Sequence, residues 1–451
     1  MQEKTGQKVN KKILILFLVL ISFSCSQKKE PVELSELEIK MNAIAEDYVK
    51  LVLDIGQYDA DFVDAYYGPK EWRENLKSGL PFDSTAFKSL SAKTDKLLDN
   101  LQSLGEYKAD ELETLRYRYL SKQLLACKTK LFMLNGVNLP FDEESKALYD
   151  ATAPIHNDEF FQSTINELDK ILPGKGDVAK RLNDFRKKFV IPEYKIKTVF
   201  DAAIKKCREI TLDHIKLPEG ESFTVEYVKD KPWGAYNWYK GNYYSVIQVN
   251  TDLPIYIDRA IDLAAHEGYP GHHVYNCLLE YNLAKKRGWI EFEVYALFSP
   301  QSLIAEGTAN YGIEMAFPGD QRVKFEKEVL FPLAGLNPAD ADLYYKVMAL
   351  EAKLNYSGNE AARNYLDGKW TRNQTIQWLQ KYELRTEKSA DKFVSFIEKY
   401  RSYVINYNLG MDIVKNYIQK NGGTPENPQK RWALFEYLLS TPQTPSGLEG
   451  E

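Results

Sequence analysis

The most constraining feature of this 451-residue sequence is a run of eight residues, HEGYPGHH, at positions 266–273. It contains three of the five histidines in the chain, and a glutamate directly follows the first of them. Pro270 has no amide hydrogen to donate to the carbonyl of His266, and Gly271 permits backbone conformations that other residues avoid. A regular helix cannot run through such a segment, so we expect the chain to bulge or restart before His272.

The interruption decides whether two of these histidines can bind the same metal ion. In the ordinary zinc-peptidase motif the two histidines are four residues apart and share one face of a helix. On an unbroken helix His273 would lie ~10 Å along the axis from His266, which is too far for one zinc ion. A bulge of two residues brings His272 to about the place of the second histidine. We therefore predict His266 and His272 as metal ligands. His273 is the alternative second ligand, and otherwise it would hydrogen-bond a ligand or the substrate.

Two acidic residues complete the predicted metal site. Glu267 directly follows the first histidine, which is where zinc peptidases place the general base that deprotonates water at the metal. A third protein ligand is needed if one coordination position is to stay open for that water. Glu306 is the best candidate, because it is an acid in the small and apolar sequence SLIAEGTANY, whose small residues allow a close approach to another backbone. We predict one Zn²⁺ ion per chain.

Two tyrosines near the C-terminus are candidates for a catalytic role. Peptide hydrolysis at zinc needs a hydrogen-bond donor aimed at the developing oxyanion. Tyr403 and Tyr407 are one helical turn apart and are placed like the late tyrosines of helical zinc peptidases. The competing interpretation is plain packing, because the chain has 30 tyrosines and most are expected to pack with the hydroxyl at the surface.

The N-terminus has the features of a bacterial lipoprotein signal. Lysines at 8, 11 and 12 precede an apolar run from Ile13 to Phe23, and Cys25 follows shortly after. Such a run is too short to span a bilayer as a stable helix, but it fits a secretory signal. We predict residues 1–24 as the signal peptide and Cys25 as the lipidated residue of a periplasmic or outer-membrane-attached protein. The alternative is an ordinary secreted protein with a chance cysteine.

Beyond the signal, the sequence pattern divides the chain into four parts. Residues 25–34 are polar and are predicted to be a tether. Residues 35–215 show helical spacing of apolar residues almost throughout, and residues 216–440 contain the histidine motif and would form the catalytic region. Residues 441–451 are rich in proline and glycine, which predicts an extended tail.

The predicted fold is mostly α-helical, with one small antiparallel sheet before the active-site helix. Apolar and polar residues alternate at 223–227 and again at 243–249, which is typical of strands. If the second strand lay at an edge of the sheet, it could hydrogen-bond an extended peptide. In the N-terminal region, helices are expected at 35–56, 84–103, 111–134, 157–172, 176–189 and 194–214.

Composition and charge narrow the possible partners. With 44 % hydrophobic and 27 % charged residues, the chain resembles neither a disordered protein nor a multispan membrane protein. A formal net charge of −5, without a cluster of basic residues, argues against nucleic acid as a partner. The acidic body leaves the lipid anchor as the expected contact with the membrane. Cys127, Cys207 and Cys277 are widely spaced and are expected to be buried and free.

Several segments resemble the signature blocks of a bacterial family, the domain-of-unknown-function 885 family. They are HEGYPGHH, the later AEGTANY and SYVINYNLG near the C-terminus, and VDAYYGP at 63–69 is similar to another segment common in such proteins. Family members are predicted zinc metallopeptidases of the thermolysin-like superfamily. The resemblance implies four roles: His266, His272 and Glu306 as metal ligands and Glu267 as the general base.

The sequence departs from the family pattern at two places. Thr308 stands where a tryptophan is usual, and Asn310 occupies a variable position. The segment around Arg363 lacks the later histidine of the family, which argues against a substrate role for this arginine.

Together these features predict a zinc-dependent metallopeptidase that acts on peptides. One alternative is a non-catalytic lipoprotein, a binding module whose metal is structural or absent. Glu267 argues against it, because a structural site needs no base beside a ligand and tends to close its fourth position. Another alternative is a metal hydrolase that cleaves a non-peptide amide or ester, and the sequence hardly separates it from a peptidase.

Overall fold

The computed structural model describes residues 34–105, 110–231, 233–252 and 254–450. The predicted signal peptide, Cys25 and all but the last residue of the tether lie outside these ranges. The described chain is mostly α-helical, which confirms the predicted fold class. No helix within these ranges has both the length and the apolar character needed to cross a membrane.

The N-terminal helices begin and end close to the predicted positions because local signals define them. Ser35 and Glu38 form a capping box at the first helix, with hydrogen bonds of 2.7 and 3.2 Å. One helix, Phe141–Tyr149, was not predicted. The helices of this region are α1 (Glu36–Gly56), α2 (Ser84–Ser103), α3 (Glu111–Leu134), α4 (Phe141–Tyr149), α5 (Asp158–Ile171), α6 (Val178–Arg186) and α7 (Ile196–Leu212).

Five strands form two small sheets in the described chain. They are β1 (Val63–Tyr66), β2 (Ser222–Val228), β3 (Ala235–Tyr239), β4 (Tyr244–Asn250) and β5 (Val294–Ala296). In the larger sheet, β4 lies between β2 and β3, and it pairs parallel with β2 and antiparallel with β3. The sheet is therefore mixed rather than purely antiparallel, because the loop after β2 carries the chain past β4. The expectation of an edge position for β4 is wrong, and the edges are β2 and β3.

The C-terminal region returns to helix and surrounds the histidine motif. Its helices are α8 (Asp258–Leu263), α9 (His272–Leu279), α10 (Pro300–Ala316), α11 (Gln321–Phe325), α12 (Phe331–Ala334), α13 (Ala341–Lys353), α14 (Tyr356–Leu366), α15 (Arg372–Tyr382), α16 (Glu387–Tyr400), α17 (Ile405–Lys420), α18 (Pro428–Ser440) and α19 (Pro445–Glu449). The last helix corrects the expectation of an extended tail. Thr444 caps it, and the amide of Ser446 donates to the buried Asp150 at 3.0 Å.

The two predicted regions are joined by a sheet and by a common core. Strand β1 of the first region pairs antiparallel with β5 of the second, and one apolar cluster includes buried residues of both. The division at residue 215 remains a prediction. Cys127, Cys207 and Cys277 are buried and free, as expected.

Helices α10 and α17 approach each other at a pair of glycines. A Cβ atom on Gly307 would lie 2.4 Å from the carbonyl oxygen of Gly410, closer than real Cβ atoms come to such atoms. Only glycine therefore allows these backbones to meet, as the small residues around Glu306 suggested. The contact fixes the position of Glu306 relative to the residues of α17.

We expect Gly307→Ala to lower the free energy of unfolding by about 1–3 kcal/mol, because the added methyl group overpacks the contact between the helices. Thermal denaturation measures this as a lower Tm. Gly234→Ala is a matched control, since a Cβ atom on this exposed glycine would meet no atom within 4 Å. An unchanged Tm in Gly307→Ala would contradict the close approach.

Candidate metal centre

The HEGYPGHH segment folds with the interruption that its proline and glycine predicted. Helix α8 passes into a π-helical turn at Ala264–Gly268, and a new helix begins at His272. The amide of Gly271 donates to the carbonyl of Ala265 at 2.9 Å. A Cβ atom on Gly271 would lie 1.9 Å from the carbonyl oxygen of His266, so this position accepts only glycine.

This local fold brings together three atoms that could bind one metal ion. Nε2 of His266 lies 3.2 Å from Nε2 of His272 and 3.4 Å from Oε2 of Glu306. Nε2 of His272 lies 3.8 Å from Oε1 of the same glutamate. In a tetrahedral zinc site with bonds of about 2.0–2.1 Å, neighbouring ligand atoms are roughly 3.3 Å apart. The distances between these three atoms therefore suit a single zinc ion.

The donor set also fits a cation by its hydrogen bonding. Oε2 of Glu306 is buried and has no hydrogen-bond partner, which is costly for a carboxylate oxygen. Its position 3.4 Å from a histidine nitrogen would let a metal ion satisfy it. Two imidazoles and a carboxylate are also a ligand set common to catalytic zinc sites. The residues present therefore fit a zinc ion.

The protonation of the two histidines suits metal binding. Burial, and to a smaller extent the charge of Arg259, lower the pKa of His266 to about 4. Burial and the neighbouring His266 hold the pKa of His272 well below its ordinary value. Both imidazoles are thus neutral near pH 7, which is the form that binds a metal.

Glu267 is positioned beside this group with its carboxylate unpaired. The residue is 6 % exposed, and within the described chain its carboxylate forms no ion pair or hydrogen bond to a side chain. Burial, and then the negative charge of Glu306, raise its pKa to about 8. Its main-chain carbonyl accepts a hydrogen bond from Asn237 of β3 at 2.6 Å. The carboxyl group is therefore free to exchange a proton.

The two predicted tyrosines take different positions. The hydroxyl of Tyr403 donates to Oε1 of Glu306 at 3.0 Å, and the residue is buried. Tyr407 is 41 % exposed. Burial of its hydroxyl, and the charges of Glu306 and Glu267, raise the pKa of Tyr407 well above its ordinary value. Tyr403 therefore orients the candidate ligand Glu306, whereas the side chain of Tyr407 is partly exposed and its hydroxyl is buried within electrostatic range of both acids.

Asn310 contributes to the site, although the sequence interpretation gave it no role. Its Oδ1 lies 3.1 Å from Nδ1 of His266, and its Nδ2 donates to the carbonyl of Tyr407 at 3.0 Å. The carbonyl of Tyr407 can only accept, so the amide nitrogen of Asn310 faces it and the amide oxygen faces His266. Nδ1 of His266 therefore carries the proton, and Nε2 is left free for a metal. Asn310 lies four residues after Glu306 and shares its helix face, and this spacing could have identified Asn310 from the sequence.

His273 lies outside the group of ligand atoms. It is fully buried, with Nδ1 2.8 Å from the hydroxyl of Ser245 and Nε2 3.0 Å from Glu221. His273 is therefore bound to Ser245 and Glu221 and does not make the predicted contact with a metal ligand or the substrate. Adjacent residues of a helix point about 100° apart, so His272 and His273 cannot both face the ion.

Arg363 also has a structural environment. It is buried, and it donates to Asp142 at 2.9 Å and to Glu360 at 2.7 Å. The guanidinium of Arg363 is engaged by two carboxylates inside the protein, which agrees with the expectation that Arg363 has no substrate role.

Comparison with known proteins adds little to this geometry. No family model matches the chain, and no curated protein matches it. Among solved structures, the chain is similar to a crystal structure described as a candidate lipoprotein from Colwellia psychrerythraea. The two share 14 % sequence identity with a TM-score of 0.48, and the match covers 81 % of this chain and 70 % of the other. The roles of the site residues therefore rest on the geometry described above.

Proposed function

We propose that the protein is a zinc-dependent metallopeptidase that hydrolyses peptides. The observation that carries the proposal is the convergence of His266, His272 and Glu306 at zinc-like spacing, with a buried carboxylate oxygen left unpaired. Zinc bound there would polarise water and the scissile carbonyl. Side chains of this protein would supply the proton transfers and the hydrogen bond to the oxyanion.

Glu267 acts as the general base and then as the acid. Its carboxylate accepts a proton from the attacking water and returns it to the leaving amine. Tyr407 donates its hydroxyl hydrogen to the developing oxyanion. Asn310 and Tyr403 act through the ligands, by holding His266 and Glu306 in place.

The motif resemblance to the domain-of-unknown-function 885 family supports the same chemistry. The signal-like N-terminus supports a location in the cell envelope, with Cys25 as the lipid anchor and the membrane reached only through it. A binding module with a structural metal is the main alternative. The unpaired carboxylate of Glu267 and the partly exposed Tyr407 favour a catalytic site over that alternative.

A digest of defined peptides tests the proposal. Purified mature protein is treated with a chelator, divided, and incubated with a peptide mixture with or without added zinc, and the products are identified by mass spectrometry. We expect new peptide termini only in the zinc-containing sample. Zinc-dependent hydrolysis of esters or non-peptide amides, with intact peptides, would instead favour a hydrolase of another class. Absence of any product in a zinc-loaded sample would favour a binding module.

Tyr407→Phe is expected to lower kcat by roughly 10- to 10³-fold, with zinc content and KM almost unchanged, because one hydrogen bond to the transition state is lost. Steady-state kinetics on a cleaved peptide, with metal analysis, measure this. Tyr403→Phe is the comparison, and it should weaken zinc affinity because it removes the donor to Glu306. Wild-type kcat in Tyr407→Phe would remove this residue from the proposed mechanism.

A further inference from the structure

A third carboxylate, Asp64, lies near the metal centre. Asp64 is on β1 and is half-buried, and its Oδ1 accepts a hydrogen bond from the hydroxyl of Tyr236 on β3. The next residue of β3, Asn237, donates to the main-chain carbonyl of Glu267. Strand β3 therefore contacts both Asp64 and the segment that carries the proposed general base.

The other neighbour of β1 connects Asp64 to the third ligand. Ala65, the next residue after Asp64, lies opposite Tyr295 of β5. The hydroxyl of Tyr295 donates to Ser302 at 3.2 Å, and Ser302 lies one turn before Glu306 on α10. These contacts place β1, which carries Asp64, beside both the segment of Glu267 and the helix of Glu306.

Asp64 has no cationic partner within the described chain, where none of its carboxylate oxygens approaches a lysine, arginine or histidine to ion-pair distance. Burial raises the pKa of Asp64 to about 7, because a desolvated carboxylate that accepts one hydrogen bond lacks a compensating positive charge. An ammonium group would compensate the charge of the Asp64 carboxylate with a charge-assisted hydrogen bond.

We propose that Asp64, oriented by Tyr236, binds the α-ammonium group of a short peptide, so that the site selects substrates with a free amino terminus. This inference rests on the proposed peptidase function and specifies its substrate class. A lysine side chain of a substrate carries the same ammonium chemistry, and the experiment separates the two sources.

The test measures binding without turnover, on zinc-loaded Glu267→Gln protein. Isothermal titration calorimetry compares three peptides: one with a free amino terminus, the same sequence N-acetylated, and an N-acetylated version with an internal lysine. We expect the free peptide to bind roughly 10- to 100-fold more tightly than both acetylated peptides, as for a hydrogen bond between charged groups. Adding Asp64→Asn should abolish this preference.

Control variants separate the role of Asp64 from a general effect on folding. Asp61→Asn should keep the preference, because Asp61 lies three residues earlier and pairs with Lys399 at the surface, 3.1 Å away. If Asp64→Asn lowers Tm severely, Tyr236→Phe removes only the donor to the carboxylate and should reduce the preference several-fold.

Two results would overturn the inference. Equal binding of free and acetylated peptides, or no binding of any peptide, would contradict a site for the amino terminus. Tight binding of the acetylated lysine peptide that depends on Asp64 would assign the ammonium group to a side chain instead. Turnover by the wild-type protein is measured separately. Cleavage of peptides without a preference for a free amino terminus would contradict this inference alone. Amine-dependent binding without any turnover contradicts the peptidase proposal alone.

Discussion

Glu267→Gln is expected to retain zinc while its turnover of peptides falls by a factor of about 10² to 10⁴, the usual range for a lost general base. Glutamine has nearly the shape of glutamate, but it cannot accept a proton from the attacking water. The carboxylate of Glu267 has no structural partner to lose, because in the described chain only its main-chain carbonyl is hydrogen-bonded. The variant should therefore fold normally.

Kinetics and metal analysis on the same preparation measure this effect. Glu314→Gln is a matched control, because Glu314 is on the same helix as Glu306 but lies at the surface, paired with Lys415 at 3.0 Å. The control should keep wild-type turnover. Wild-type turnover in zinc-loaded Glu267→Gln would remove Glu267 from the proposed mechanism.

His272→Ala is expected to lower zinc affinity by more than about 100-fold and to abolish turnover, because one of three protein ligands is lost. The variant also tests the choice between the two adjacent histidines. His273 is committed to Ser245 and Glu221, so it cannot replace the missing imidazole without breaking two buried hydrogen bonds.

Competition with a chelating indicator measures the zinc affinity. His214→Ala is the control, since His214 is exposed, stacks on Trp432 and is not among the three candidate ligands. It should bind zinc as the wild type does. Wild-type zinc affinity in His272→Ala would instead assign the second ligand to His273.

Features with a local cause could be predicted from the sequence. The capping box at Ser35 and the apolar spacing that follows it define α1 to within one residue. The interruption before His272 follows from a missing amide at Pro270 and from the conformational freedom of Gly271, and the structure contains it. Glu306 could be proposed because an acid among small residues is unusual.

Features that depend on distant partners could not be predicted in this way. Alternation of residues indicates which face of a strand is buried, but it does not specify the neighbour, so the parallel pairing of β2 with β4 was missed. Strand β1 exists through pairing with β5, more than 200 residues later in the chain. The position of Asp64 near the metal centre depends on that pairing, and so does its proposed role.

Dependence on distant partners also explains why the sequence did not predict the positions of two polar residues, Asn310 and His273. Asn310 orients His266 across two helices, whereas its spacing of four from Glu306 indicates only that the two side chains share one face of α10. His273 was considered for the site because it is adjacent to His272, but the partners that it binds, Ser245 and Glu221, belong to the segments around the sheet. Only the folded arrangement separates these two histidines.

Stepwise zinc reconstitution tests the central claim most directly. Zinc is added to chelator-treated mature protein, and bound metal and peptide cleavage are measured in each sample. The proposed centre of His266, His272 and Glu306 predicts that cleavage rises in proportion to bound zinc and reaches its plateau at about one ion per chain. Full cleavage in the metal-free protein, or one tightly bound ion with no cleavage of any peptide, would contradict it.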